Sequence, residues 1–304
     1  MILLWGIAEE RPLAAVRAAL AAMGREAFVL DQRASLELSL ELTVGKDVTG
    51  RIVGPSRSID LSRVSAVYAR PYDPTAIPTI ARRGRGSAAF RHAVELHQAF
   101  RAWTEVTPAR VVNRLAAMGS NSSKPYQAGL LKKLGFEVPE TLVTTDPEAA
   151  RGFLEAHPNA IYKSVSDVRS VVARVTPEHL ERLADVAGCP TQFQAYVPGT
   201  DVRVHVVGER VFPVRIESRA TDYRYPGEHA VERSITTLPD AIAELCVRAA
   251  HELSLPVAGI DLRHTDEGKW CCFEVNPSPA FPYFDLDGGI ARAIAELLAE
   301  GGAT

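Results

Sequence analysis

The stretch AGIDLRHTDEGKWCCFEVNPSPAF, residues 258–281, decides the fold of this 304-residue chain. Its two apolar runs flank a turn at residues 266–268, a pattern that predicts two strands joined as a hairpin. On a strand, Glu274 and Asn276 point to the same side, and the hairpin can bring Asp261 across from them. Carboxylate and amide oxygens, together with substrate phosphates, are ligands that Mg²⁺ prefers. The sequence therefore predicts a magnesium site at this strand pair.

A simpler interpretation is that the two carboxylates lie on a solvated sheet face and that Asn276-Pro277 only begins a turn. Apolar neighbours on both strands argue instead that Asp261 and Glu274 are buried. A buried carboxylate pair without a cation is costly, which favours the metal site.

Two lysines upstream of the hairpin supply positive charge. Lys124 stands at the start of a predicted helix that Gly135 closes, and Lys163 interrupts the apolar strand AIYKSV. Each could be solvated, but with the acidic cluster they provide the cations that a nucleotide triphosphate needs. The chain has no GxxxxGK[ST] loop and no GxGxxG after its first strand, which counts against a P-loop NTPase and a dinucleotide-binding enzyme.

The N-terminal third alternates strand and helix signals. ILLWGIA, a helix from Arg11 to Met23 and EAFVLD form a βαβ opening, which predicts a parallel sheet and the α/β class. A helix is predicted from Ala89 to Val106. The second half mixes helices, including one from Pro177 to Val186, with antiparallel hairpins, so it is predicted to be α+β.

Composition limits the possible partners. The 34 basic and 37 acidic residues give a net charge of −3, so nucleic acid is not an expected partner. No apolar run approaches the roughly 18 residues of a membrane span, and we expect no membrane partner. Four cysteines without a metal-binding spacing fit a cytoplasmic protein.

The order of these motifs resembles the RimK-like ATP-grasp ligases. The resemblance runs over about residues 110–290 and rests on the two lysines, QFQAYVPGTDVRVHVVG (192–208), GIDL (259–262) and FEVNPSPAF (273–281). With KSVSDVRSVV (163–172) and DYR (222–224), the chain is most similar to the microviridin-type, or graspetide, ligases. Those enzymes join side chains of a ribosomally made precursor peptide as ω-esters or ω-amides.

The resemblance implies an ATP site. Lys124 and Lys163 would contact the phosphates, with Arg169 as a further contact, because the glycine-rich flap usual after the strand lysine is missing here. The backbone at Gln194, Ala195 and Val197 would receive the adenine edge, although an acidic residue is more usual than Ala195.

The resemblance also implies how substrates are held. Asp201 would bind the ribose hydroxyls, and Arg203 would neutralise the γ-phosphate during catalysis. Asp222 and Arg224 match the DxR motif that engages an acidic substrate side chain, and Arg224 would be its main anchor. An exposed charged loop is the alternative for that segment.

Three domains follow from the resemblance: a pre-ATP-grasp domain (1–112), a central lid (113–190) and a C-terminal ATP-grasp subdomain (191–304). ATP and Mg²⁺ would be the cofactors, and the partner a precursor peptide with acidic core residues, bound by a homo-oligomer. Two alternatives stay open: a ligase for free amino acids or other small metabolites, and an ATP-binding regulatory protein without turnover. The complete set of Asp261, Glu274 and Asn276 argues against the regulatory protein.

Overall fold

The computed structural model describes residues 1–55, 57–165, 172–218 and 230–301. Its strands, in chain order, are β1 (Ile2–Gly6), β2 (Ala27–Asp31), β3 (Ser39–Val44), β4 (Val48–Val53), β5 (Ser58–Asp60), β6 (Ala66–Ala69), β7 (Arg110–Val112), β8 (Thr141–Thr144), β9 (Ile161–Ser164), β10 (Ala173–Arg174), β11 (Thr191–Gln194), β12 (Thr200–Val207), β13 (Arg210–Ser218), β14 (Val231–Ile235), β15 (Val257–His264) and β16 (Trp270–Asn276). Its α-helices are α1 (Arg11–Ala22), α2 (Pro78–Ala81), α3 (Ala88–Val106), α4 (Leu115–Met118), α5 (Lys124–Leu134), α6 (Pro147–Ala156), α7 (Pro177–Glu181), α8 (Asp240–Glu252) and α9 (Gly289–Ala299).

The N-terminal strands form a parallel sheet in the order β2-β1-β6-β7, which confirms the α/β prediction. All five residues of β1 are buried, as expected of a strand covered on both faces. One face packs on α1 and α9. The other packs on Phe100 and Trp103 of α3 and on a small antiparallel sheet, β3-β4-β5, which the sequence did not predict as a separate sheet.

The remaining strands of the described chain form two antiparallel sheets. The first, which we call the lid sheet, has the order β10-β9-β11-β8 and a small core with α6. The second has the order β14-β13-β12-β15-β16 and packs its apolar face on α5 and α8. Because β11 lies in the lid sheet, this sheet continues past residue 190. The three domain boundaries drawn from the sequence stay predictions.

The helix predictions hold with one exception. Helix α5 runs from Lys124 to Leu134 and ends at Gly135, whose φ of 107° is the left-handed conformation typical of a helix end. The single helix predicted from Pro177 to Val186 is wrong: α7 ends at Glu181, and a tighter 3₁₀ turn follows from Leu183 to Gly188. That turn places Leu183 and Val186 in the core of the lid sheet. None of the helices in the described ranges has the length and the apolar composition that a membrane span requires.

The link between β11 and β12 depends on a glycine. Gly199 has φ of 140°, and a Cβ there would lie 2.2 Å from the backbone oxygen of His264 on β15. The chain therefore leaves the lid sheet and enters the five-stranded sheet through a position that only glycine fits.

We predict that Gly199→Ala lowers the free energy of unfolding by about 3 kcal/mol, because backbone strain adds to the clash with His264. Chemical denaturation measures the change. Gly188→Ala is the matched control, since an added Cβ there meets nothing within 4 Å. Equal stability of the two variants would contradict the prediction.

Candidate active site

One face of the five-stranded sheet is polar because apolar and polar side chains alternate along its central strands. On β12, Val202, Val204 and Val206 lie in the core, so Asp201, Arg203 and His205 lie on the opposite face. The pairing of β12 with β15 extends this polar face. It sets Asp201 against Arg263, Arg203 against Asp261, and His205 against Gly259.

The predicted metal ligands lie on this polar face. Asp261 pairs directly with Glu274 across β15 and β16, and Asn276 pairs with Gly259. A register shift after Asp261 leaves Phe273 as the extra residue of β16, so the strand is irregular next to Glu274. The hairpin prediction is confirmed in its geometry: three oxygen-bearing side chains stand on two adjacent strands. The expected burial is wrong, because Asp261 and Glu274 are both partly exposed. Whether they bind a metal stays a prediction.

Two arginines pair with carboxylates on the same face. Arg203, which is 6% exposed, forms an ion pair with Asp261. Arg263 lies 2.7 Å from Asp201 and also donates to the backbone oxygen of Val197. Arg203, Asp261 and Glu274 thus form a row across three strands, with a cation beside the carboxylates.

Gly259 makes room for this arrangement. A Cβ at Gly259 would lie 2.3 Å from Nη2 of Arg203 and 2.7 Å from Cβ of Pro279. The guanidinium of Arg203 therefore lies across β15 where any side chain at position 259 would meet it. Glycine at position 259, in GIDL, therefore leaves the space that the Arg203 side chain occupies.

A cavity of about 640 Å³ separates the lid sheet from α5 and β16. Its lining includes both predicted phosphate lysines, Lys124 at the start of α5 and Lys163 on β9. Phe273 of β16, next to Glu274, lines the same cavity. The structure thus brings the two lysines together at one cavity, with the strand of the predicted metal ligands at its border.

Polar side chains of the lid sheet form the roof of the cavity. Lys163 is 8% exposed, and its Nζ lies 3.4 Å from Oε1 of Gln194, whose Nε2 donates to Thr141. Gln192 stands directly across from Lys163 and is buried. Its Oε1 has no hydrogen-bond partner among the described residues. Sequence reasoning missed Gln192, although its position two residues before Gln194 puts it on the same strand face.

The end of β11 and the segment after it carry the backbone groups predicted to receive adenine. The N–H of Ala195 donates to the backbone oxygen of Glu140, so it is already used within the protein. The backbone oxygen of Val197 accepts from Arg263. The predicted role of Gln194, Ala195 and Val197 stays a prediction.

Three predicted residues lie outside the described part of the chain: Arg169, Asp222 and Arg224. The structure therefore gives no position for the additional phosphate contact or for the DxR motif.

Cysteine chemistry is disfavoured at this site. Burial raises the pKa of Cys271 to about 12, and it raises the pKa of Cys272 well above its ordinary value. Both thiols on β16 therefore stay protonated near neutral pH, and a thiolate is the nucleophilic form of cysteine.

The fit of a nucleotide and a metal ion rests on these observations. The cavity has lysine ammonium groups for phosphates, and the buried Oε1 of Gln192 lacks a partner among the described residues. Asp261, Glu274 and Asn276 offer the hard oxygen atoms that Mg²⁺ prefers. The residues present fit both groups.

Comparisons with known proteins give the family and the fold. A profile of the RimK-like ATP-grasp domain matches residues 121–299. The structure is similar to that of the ATP-grasp ligase PsnB complexed with minimal precursor, Mg and ADP, at a TM-score of 0.79 and 28% identity, over 99% of this chain and 97% of that one. It is also similar to the macrocyclase MdnC from Microcystis aeruginosa MRC, bound with precursor peptide MdnA, at a TM-score of 0.83 and 24% identity over 99% of both chains. That second likeness shows the fold.

Among curated proteins, a probable alpha-L-glutamate ligase of Alkalilimnicola ehrlichii is 27% identical over 179 residues. The match covers 55% of this chain and 59% of that ligase, which is less than two thirds of its length.

His205 gives the polar face a pH-dependent element. It is fully buried, and neither ring nitrogen has a hydrogen-bond partner among the described residues. Burial, and then the charge of Arg203, hold the pKa of His205 well below its ordinary value of 6.5. The unfolded chain therefore takes up a proton near pH 6.5 that the folded chain resists, so stability is full above this pH and falls as the pH drops below it.

We predict that the free energy of unfolding falls by about 1.4 kcal/mol more in the wild type than in His205→Phe when the pH drops from 7.5 to 5.5. Phenylalanine keeps a ring beside Phe284, whose centroid lies 5.4 Å from that of His205. Denaturant titrations at both pH values measure the difference. The same pH dependence in both proteins would contradict the prediction.

Proposed function

Because the chain belongs to the RimK-like ATP-grasp family, we propose that it is an ATP-dependent carboxylate ligase that acts on a peptide. The observation that carries the proposal is the row of Arg203, Asp261 and Glu274 across β12, β15 and β16, at the border of a cavity lined by Lys124 and Lys163. Under this proposal the cations bind phosphate and the oxygen ligands bind a metal ion. Such a site suits the transfer of a phosphoryl group to a carboxylate.

The proposed reaction has two steps. A substrate carboxylate oxygen attacks the γ-phosphorus of ATP, ADP leaves, and an acylphosphate forms. A hydroxyl or amine then attacks the acyl carbon, loses its proton, and releases phosphate as the ester or amide forms. No covalent bond to the protein is needed, which agrees with the protonated state of Cys271 and Cys272.

The residues of the chain have binding and electrostatic roles in this proposal. Lys124 and Lys163 hold the phosphates, and Arg203 offsets the charge that develops on the transferred group. Asp261, Glu274 and Asn276 would hold Mg²⁺, which when bound neutralises the β and γ phosphates. These groups bring two anions, the carboxylate and the triphosphate, into contact despite their repulsion.

A peptide is the proposed substrate class. The support is the likeness of the whole chain to PsnB, which is complexed with a minimal precursor, at 28% identity. Under this proposal the product is a side-chain ester or amide in a precursor peptide with acidic residues. Asp222 and Arg224 are proposed to hold the acidic side chain, and Asp201 the ribose.

A ligase for a free amino acid is the second candidate. The 27% identity with a probable alpha-L-glutamate ligase favours it. Both candidates share the ATP site and differ in the molecules that are joined. Mass spectrometry separates them: a crosslinked peptide loses one water per bond, whereas an added glutamate increases the mass.

We predict that Mg²⁺-dependent formation of ADP rises when a peptide rich in Asp, Glu, Ser and Lys is added. Asp261→Asn should lower this rate by about 100-fold, because a charged ligand and the partner of Arg203 are lost together. Asp266→Asn is the matched control, since Asp266 is exposed at the turn of the same hairpin. Equal rates in both variants would count against the metal role, and a rate that neither peptides nor amino acids raise would count against the ligase.

We also predict that Gly259→Ala lowers kcat by about 100-fold, and that the clashes with Arg203 and Pro279 also lower the free energy of unfolding by about 1 to 3 kcal/mol. The new methyl group displaces the guanidinium of Arg203, and misplacement by about 1 Å can cost that much in rate. Gly152→Ala on α6 is the control, because an added Cβ there meets nothing within 4 Å. A fully active Gly259→Ala enzyme would show that the position of Arg203 does not matter for the reaction.

A further inference from the structure

Strand β16 is an edge strand that carries two of the predicted metal ligands, Glu274 and Asn276. It pairs with β15 on one side, and no other strand of the described chain lies on the other. The outward N–H and C=O groups of an edge strand need other partners, especially when they are buried. The groups of Val275 on this edge stand between Glu274 and Asn276, so a residue that binds them also fixes the two predicted ligands.

Gln127 satisfies this edge. Its Nε2 donates to the backbone oxygen of Val275 at 2.7 Å, and its Oε1 accepts from the N–H of Val275 at 3.1 Å. Gln127 is 3% exposed, and Val275 is fully buried. One side-chain amide thus replaces a neighbouring strand at the residue between Glu274 and Asn276.

Gln127 also connects two parts of the site. It lies on α5, three residues after Lys124, and therefore close to one turn along the helix. The helix that carries a phosphate lysine is bonded to the strand that carries the proposed metal ligands. A shift of β16 would break two buried hydrogen bonds.

Asn113 holds the same segment from the N-terminal sheet. It directly follows β7 and is 4% exposed. Its Nδ2 donates to the backbone oxygens of Val257 and Pro277, both at 2.6 Å, and its Oδ1 accepts from the N–H of Val257 at 3.0 Å. It thereby ties the start of β15 to the residue that follows Asn276.

Arg70 supplies a further contact from the same sheet. It follows β6, and its guanidinium donates to the backbone oxygen of Pro279 at 3.3 Å while Glu10 holds it at 2.7 Å. Residues that directly follow two strands of the N-terminal sheet thus contact the segment after β16 at Pro277 and Pro279.

We propose that Gln127 and Asn113, which we call the amide pair, are positioning residues that set Glu274 and Asn276 for metal binding. The inference rests on the metal role given to these two residues in the proposed function. The hydrogen bonds of the amide pair go to backbone atoms, so the pair acts through the strand. It also gives residues 1–112 a part in the site, since Asn113 carries the position of the N-terminal sheet to β16.

The test measures metal binding directly. Mn²⁺, a stand-in for Mg²⁺ with an electron paramagnetic resonance signal, is titrated into the full-length protein with saturating ADP. We expect Gln127→Met, which keeps the length of the side chain but removes both hydrogen bonds, to weaken Mn²⁺ binding by about 10- to 100-fold. The affinity for ADP in the absence of metal should change by less than about two-fold, well below the change expected in Mn²⁺ affinity.

Gln32→Met is the matched control. Gln32 is also 3% exposed, and its amide makes the same pair of bonds with the backbone of Tyr72, in the loop after β6, at 2.9 and 2.8 Å. It should lose similar stability and keep wild-type Mn²⁺ affinity. Gln127→Glu retains an acceptor for the N–H of Val275 and should bind Mn²⁺ with intermediate affinity, and it replaces Gln127→Met if that variant does not fold.

The outcomes separate the two proposals. Unchanged Mn²⁺ affinity in Gln127→Met, or an equal loss in Gln32→Met, overturns the role of the amide pair and leaves the ligase proposal intact. If Mn²⁺ binding weakens in Gln127→Met but not in Gln32→Met, the role of the amide pair is supported. If the wild-type protein also joins no peptide or amino acid, the ligase proposal alone fails. A wild-type protein that binds no Mn²⁺ with ADP overturns the metal role in both.

Discussion

The alternation of side chains along β12, β15 and β16 is the constraint on which the site depends. Each strand buries one face against α5 and α8, so every second side chain must lie on the other face. Val204, Ile260 and Val275 enter the core, and Arg203, Asp261 and Glu274 are thereby set on the polar face. A slip of one residue in any strand would exchange core and site, which would bury charge without a partner. The core that stabilises the sheet also fixes the register of the chemistry.

Much of this could be predicted from the sequence because the signals are local. The spacing of Glu274 and Asn276 gives a shared strand face, and the short turn at residues 266–268 gives the hairpin that pairs Asp261 with Glu274. Helix α5 could be predicted to the residue, since Pro125 stands in its first turn and Gly135 ends it. The parallel N-terminal sheet followed from the alternation of strand and helix.

What could not be predicted depends on contacts between distant segments. In the sequence, Gln127 and Asn113 look like ordinary polar residues. Their partners, Val275 on β16 and Pro277 just after it, lie 148 and 164 residues away in sequence, and only the fold brings them into contact. Gly259 reads as a strand glycine, and only the position of Arg203 explains it. The β3-β4-β5 sheet was missed because short strands do not reveal which partner they pair with. In each case the missing information is tertiary.

The hydrogen bonds on the outer side of β16 also bear on how the protein behaves at high concentration. An edge strand with unpaired backbone groups is a template on which other chains can add as further strands and aggregate. Here Gln127 occupies the groups of Val275, and the N–H of Cys272 donates to the backbone oxygen of Glu137 at 2.8 Å. Backbone and side chain from α5 and the segment after it thus close this edge, so a strongly apolar strand is protected from intermolecular β-sheet growth.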